Sequence, residues 1–313
     1  MSRPIWRRSV AVMGQAIIEA ERLTKRYAGA RGIEELSITV DAGEVFGFLG
    51  PNGAGKTTTI RTLLDLLHPT AGSARIFGLD SRRDSRAIRA RVGNLSGDFA
   101  YDDRVTGGEL LRFCAAVRGM TDMGAADQLA ERFQADLRRP LRELSRGNRQ
   151  KIGLIQALFH DPELVVLDEP TSGLDPLMQE EFLALVAERR AAGRTVFLSS
   201  HDLDEVERVC DRVAMIREGR LITVEDVEDM RSRSYRAVAV RFTDRLDDPA
   251  RDIGSLAGIA ALSWDGPWLR FRVLGGLDPV LKALARHRVA DMEVTRPTLE
   301  ELFMTHYRED SRP

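Results

Sequence analysis

The chain has 313 residues, 43% of them hydrophobic and 30% charged, with a formal net charge of −2. The length favours two domains over one, and the near-neutral charge argues against a general nucleic-acid binder. No run approaches a membrane-spanning length, and the two distant cysteines, Cys114 and Cys210, have no metal-ligand spacing, which points to a reducing cytoplasm.

Residues 1–15 carry Arg3, Trp6, Arg7 and Arg8 without an acidic residue and lack the apolar centre of a signal peptide. A basic, Trp-bearing membrane anchor is one reading; we favour an extension outside the fold, or a start at Met13. Ala16 to Leu23 and Ile38 to Val40 read as strands, and Val45 to Leu49 as a buried one. The next eight residues, Gly50-Pro51-Asn52-Gly53-Ala54-Gly55-Lys56-Thr57, have the form G-x-x-x-x-G-K-[ST]. Thr58 to Leu67 reads as a helix with Ile60, Leu63, Leu64 and Leu67 on its apolar side. Strand, glycine loop and helix together aim a helix N-terminus at phosphate groups. The glycines let successive N–H groups face phosphate oxygens, Lys56 supplies a point charge, and the Thr57 hydroxyl suits Mg²⁺. Only four of the 46 basic residues are lysines, so a lysine at position 56 is a chemical choice.

Ile76-Phe77 reads as a short strand, and residues 85–160 as mainly helical, with helices at Gly108 to Val117 and Ile152 to Leu158. The segment Leu144-Ser145-Arg146-Gly147-Asn148-Arg149-Gln150-Lys151 directly precedes the second of these. A serine and a glycine at a helix N-terminus can bind phosphate, although standing alone the segment is as easily an N-cap with solvated basic residues. Leu164 to Leu167 reads as a buried strand ending in Asp168-Glu169, an Asp for Mg²⁺ and a Glu placed to activate water. Pro170-Thr171-Ser172-Gly173-Leu174-Asp175 follows, then a helix to Arg190, a strand at Thr195 to Ser199, His201, and a short helix from Leu203 to Cys210. Val213 to Arg217 and Leu221-Ile222 flank a hairpin turn at Glu218-Gly219. Strands alternating with helices imply a parallel sheet covered on both faces.

A charged helix at 223–232 leads to a second pattern. Arg236 to Phe242 alternates as a strand, a helix is expected over 247–256, and Ala260 to Trp264 and Trp268 to Val273 form a hairpin. Asp278 caps a helix to Arg286, Val289 to Val294 is a strand, and Thr298 caps a last helix to Tyr307. The order β-α-β-β-α-β is the ferredoxin-like arrangement. We expect its core to contain Val238, Val240, Phe242, Leu269, Phe271 and Leu281.

Six motifs in order make residues 16–222 resemble the ATP-binding cassette (ABC) family. Gly50–Thr58 is similar to its Walker A, Leu144–Gln150 to its signature, Leu164–Glu169 to its Walker B and Ser172–Asp175 to its D-loop. His201 resembles the switch histidine, and Tyr27 the aromatic that stacks on adenine. The resemblance implies an α/β P-loop NTPase domain (16–222) with a helical subdomain (85–160), a linker helix (223–235) and a small α+β accessory domain (236–313). It implies ATP and Mg²⁺ as cofactors, with Thr57 and Asp168 toward the metal and Glu169 and His201 as catalytic residues. It further implies that two cassettes sandwich ATP, so that Ser145, Arg146, Gly147 and Asn148 act on the partner's nucleotide and Asp175 lies at the shared face. Two departures stand out. The signature reads Ser-Arg-Gly-Asn, and Gly97 takes the place of the Q-loop glutamine, with Asp98 beside it as a candidate metal or water contact.

The single cassette and the ending Pro297-Thr298-Leu299-Glu300-Glu301-Leu302-Phe303 resemble ATPase subunits of ABC-2 type drug and antibiotic exporters. The expected function is ATP hydrolysis that drives efflux of drugs or other amphiphiles. The expected partners are a second copy of the chain and a separate permease at the cytoplasmic face of the membrane, with no nucleic acid. The alternatives are another cargo (lipid, polysaccharide or peptide), a soluble non-transport ABC ATPase, or a regulatory module.

Overall fold

A computed structural model describes residues 15–28, 30–97, 102–233, 235–243 and 248–295. The chain divides into two compact units, one through Val227 and one from Glu228. The first opens on two antiparallel strands, β1 (Ala16–Tyr27) and β2 (Ala30–Asp41), longer than the sequence pattern indicates. β3 (Val45–Leu49) is buried throughout and delivers the glycine loop to α1 (Lys56–Leu63). That helix begins two residues before Thr58 and ends before Leu67, because Asp65 turns left-handed at φ +55°. β4 (Ala71–Ile76) and β5 (Leu79–Asp80) complete a four-stranded sheet in the order β2-β1-β4-β5. Phe77 lies outside β4, since it takes up the turn at φ +57°.

Within 85–160 the chain is not wholly helical. α2 (Ser85–Arg91) feeds β6 (Val92–Leu95), which joins the central sheet beside the later Walker B strand. α3 (Gly107–Val117) starts on a capping box, with Thr106 and Glu109 satisfying each other's backbone N–H groups. α4 (Gly124–Arg132) and α5 (Arg146–Leu158) follow. α5 starts six residues before Ile152, so the signature residues form its first turn.

β7 (Leu164–Asp168), α6 (Pro176–Ala191), β8 (Thr195–Ser200), α7 (Leu203–Val209), β9 (Arg212–Arg217) and β10 (Arg220–Asp226) complete the unit. The second sheet has the order β10-β9-β3-β8-β7-β6, parallel except at the β9–β10 hairpin. β3, β7 and β8 are buried along their whole length, as central strands covered on both faces require. Their C-terminal ends lie side by side, and the site is built there.

The helix expected from residue 223 starts at Val227, because Thr223, Val224 and Glu225 continue β10 and pair with Met215, Ala214 and Val213. After α8 (Val227–Arg233) come β11 (Arg236–Phe242), α9 (Pro249–Gly254), β12 (Ile259–Asp265), β13 (Trp268–Val273), α10 (Asp278–Leu284) and β14 (Val289–Thr295). The antiparallel sheet order is β12-β13-β11-β14. Val238 and Val240 sit opposite Phe271 and Leu269 and pack with Ile253, Val280 and Leu284 in a core of their own. Leu281 is 46% exposed, against expectation; Val280 and Leu284 face the sheet in its place. Asp278 is not the cap either. Leu277 holds that position, and Asp278 pairs with Lys282 one turn on, at 2.8 Å. The expected helix after Thr298 lies outside the described residues.

Candidate nucleotide site

The glycine loop forms because β3 must reverse into α1 within a few residues. Pro51, Asn52 and Gly53 form its exposed crest, and Ala54 is buried beneath. Gly55 caps α1 at φ +112°, a conformation that a side chain would strain. Lys56 is buried, and its ammonium donates to the Gly50 carbonyl at 2.6 Å and the Pro51 carbonyl at 3.3 Å. It also lies 3.0 Å from Glu169 Oε1. The Thr57 hydroxyl donates to Asp168 Oδ2 at 2.7 Å, and the Thr58 carbonyl accepts from Thr62.

Asp168 ends β7 and is buried; its other oxygen, Oδ1, accepts from the Ser199 hydroxyl at 2.6 Å. Glu169 takes φ +50° immediately after the strand, and this turn swings its carboxylate back over the loop. Its N–H donates to the Ser199 carbonyl and hydroxyl, and its own carbonyl accepts from Gln150 Nε2 at 2.9 Å. Its Oε2 lies 2.6 Å from His201 Nδ1. Glu169 therefore bridges Lys56 and His201, one carboxylate oxygen on each.

Thr57, Asp168, Glu169 and His201 line a cleft of about 650 Å³ together with Asn52, Gly97, Arg146, Arg149, Gln150 and Ser172. That volume suits a nucleotide-sized ligand. Gly97 faces Asp168 so closely that an added Cβ would stand 2.9 Å from Oδ2. Asp98 lies outside the described residues. Tyr27, at the end of β1, is half exposed beside Lys25 and is not among the residues lining the cleft.

The signature turn is tied to its surroundings in the same chain. Ser145 caps α5 by accepting from the Asn148 N–H at 3.2 Å. Asn148 uses its side chain to hold the backbone of Asp136 from both sides, at 3.0 and 3.1 Å. Arg146 donates to the Ser172 hydroxyl at 2.7 Å. At Gly147 any Cβ would stand 2.4 Å from the Gly173 carbonyl, so only glycine lets the two turns meet. Asp175 caps α6 by accepting from the Met178 N–H.

The sequence gives no role to Ser199 or Glu205, and it marks Gln150 only as the last residue of the signature-like segment. Glu205 lies on α7, and burial pushes its carboxyl up to about 7, against the lowering effect of bonds from the Ser200 and Thr171 hydroxyls. The one signal is polar: Ser199-Ser200 follows the apolar run Val196-Phe197-Leu198 in β8.

A P-loop at the C-terminal end of a central strand of a buried parallel sheet, facing a paired Asp-Glu and a histidine, defines a nucleoside-triphosphate-hydrolysing domain. The family model for ABC transporters matches residues 33–172. The bacitracin transport ATP-binding protein BcrA of Bacillus licheniformis is 35% identical over 73% of this chain and 76% of its own length. The daunorubicin resistance ATP-binding protein DrrA3 of Streptomyces coeruleorubidus is 33% identical over 96% of this chain and 98% of its own. The solved ATP-binding subunit of an ABC transporter superposes with a TM-score of 0.63 at 28% identity, over 69% of this chain and 92% of that one. The chain belongs to the ABC transporter ATP-binding family, and it is an ATPase.

Proposed function

We propose that this ATPase is the energising subunit of a membrane exporter whose cargo is a drug-like or antibiotic amphiphile. The observation that carries this reading is the match to the daunorubicin resistance protein, which takes in the second unit as well as the cassette. The similarity to a bacitracin transport protein supports the same direction. None of the described helices is long and apolar enough to cross a membrane, so the transport path would be supplied by a separate permease.

In this reading two copies stack head to tail. The loop Gly50–Thr58 of one copy cradles the triphosphate, and Ser145 and Gly147 of the other reach it. Dimeric assembly is known for a structural neighbour, the cassette MJ0796, which has a TM-score of 0.63 at 21% identity. Tyr27 stacks on adenine. Thr57 and Asp168 offer hard oxygen donors that fit Mg²⁺, an ion that takes most of its shell from phosphate and water. When bound, it offsets charge on the phosphate oxygens. Lys56 moves its charge from Glu169 to the phosphates, which frees Glu169 to accept a proton from the attacking water. His201 orients Glu169 through Nδ1 and presents its other ring nitrogen to the γ-phosphate.

The test is drug accumulation in cells expressing the chain with its permease. Wild type should hold less fluorescent anthracycline than cells with Lys56→Ala. Equal accumulation in the two would contradict the cargo class.

A further inference from the structure

The catalytic pair Glu169 and His201 stand immediately after two strands, β7 and β8, and their 2.6 Å contact depends on how the turns there are held. One buried side chain touches both turns. Glu205 is only 7% exposed, and its Oε2 accepts from the Ser200 hydroxyl at 2.7 Å and from the Thr171 hydroxyl at 3.1 Å. Ser200 immediately precedes His201, and Thr171 lies two residues past Glu169. The Ser200 hydroxyl in turn accepts from the Asp202 N–H at 2.9 Å, which closes the turn that carries His201.

We infer that Glu205 is a positioning residue: one carboxylate oxygen clamps the Walker B turn to the switch-histidine turn and thereby sets the Glu169–His201 contact. This rests on the roles proposed above for Glu169 and His201. The two hydroxyls that satisfy this buried carboxylate come from the segments that follow β7 and end β8, so the same bonds tie those segments together. The same element, α7, is also capped by Asp202, which accepts from the Asp204 and Glu205 N–H groups, so the clamp is rigid at its base. Glu205 acts through the two turns and touches no reacting atom.

The experiment is steady-state ATP hydrolysis by the full chain carrying Glu205→Ala, Glu205→Gln or Thr171→Val, with Glu169→Gln alongside. Misplacing a catalytic group by about 1 Å costs up to about 10²-fold, so Glu205→Ala should lower kcat at least about tenfold while KM for ATP moves less than about twofold. Glu205→Gln keeps a carbonyl oxygen for both hydroxyls and should recover kcat to within about threefold of wild type. Thr171→Val removes one bond at nearly constant volume and should lower kcat by roughly threefold to tenfold; it decides the matter if Glu205→Ala does not fold. The inference is overturned if Glu205→Ala or Thr171→Val turns over within about twofold of wild type, or if Glu205→Gln binds ATP yet is as slow as Glu205→Ala. Loss of turnover in Glu169→Gln beside an unaffected Glu205→Ala refutes the clamp alone. Retained turnover in Glu169→Gln refutes the catalytic assignment beneath it.

Discussion

Glu169 stands at φ +50°, a left-handed backbone that costs a non-glycine residue roughly 1 kcal/mol or more. The surroundings hold it there: Ser199 accepts its N–H twice over, and Gln150 donates to its carbonyl. Strain that neighbours over-determine is the usual mark of a working group, and here it aims the carboxylate at the loop. Ser199→Ala removes both an acceptor for that N–H and the donor to Asp168, and a buried hydrogen bond to a carboxylate is worth about 1.5–3 kcal/mol. We predict a fall of roughly tenfold or more in kcat, read by steady-state hydrolysis. Glu205 sets a pH prediction. Its carboxyl is pushed up to about 7 by burial, with the Asp202 and Glu169 carboxylates adding to the rise. An acid whose folded pKa is raised binds more protons folded than unfolded, so stability falls as pH climbs from its ordinary value through about 7. Glu205→Gln should flatten that part of the cassette's melting-temperature profile and melt higher than wild type at pH 8; parallel profiles would count against it. Lys56, Thr57, Asp168 and Glu169 could be picked out by spacing alone, because each follows directly on an apolar strand or a glycine turn. Ser199, Gln150 and Glu205 could not, because their value lies in contacts between segments that are far apart in sequence or separated by a turn.

At the scale of elements, periodicity located most strands and helices but misplaced their ends. β10 overran the expected helix start because Val224 packs onto the sheet core, a gain that composition does not reveal. α10 turned by one residue for a similar reason. A helix starting at Asp278 presents Val280 and Leu284 to the sheet, whereas Leu281 points outward. Leu284→Ala should therefore destabilise the second unit by about 2–4 kcal/mol and Leu281→Ala by less than about 1 kcal/mol, measured by denaturant unfolding. Equal costs would mean that the register is wrong. On α3, Phe113 is 65% exposed and Val117 73%, one turn apart on the same face. Exposed aromatic and aliphatic side chains in this position suit a contact with the permease proposed above. Phe113→Ser with Val117→Ser should leave basal hydrolysis unchanged and abolish its stimulation by the permease in reconstituted membranes. Stimulation at wild-type level would remove α3 from the contact.

For the whole molecule, the cassette's class followed from six motifs in order, but the function of the second unit did not, because its sequence carries a core pattern and no chemistry. We expect it to hold two subunits in register, so truncation after residue 232 should weaken self-association; unchanged dimerisation and turnover would remove that role. In the proposed mechanism Glu169 activates the water that attacks ATP held between two copies of the chain. Its most direct test is Glu169→Gln in the purified full-length protein, followed by light scattering and hydrolysis in the presence of ATP and Mg²⁺. A general base is worth about 10²–10⁴-fold, so hydrolysis should fall by that factor while ATP binding persists and the protein accumulates as an ATP-dependent dimer. Turnover close to wild type, with the protein a monomer in saturating ATP, would contradict it.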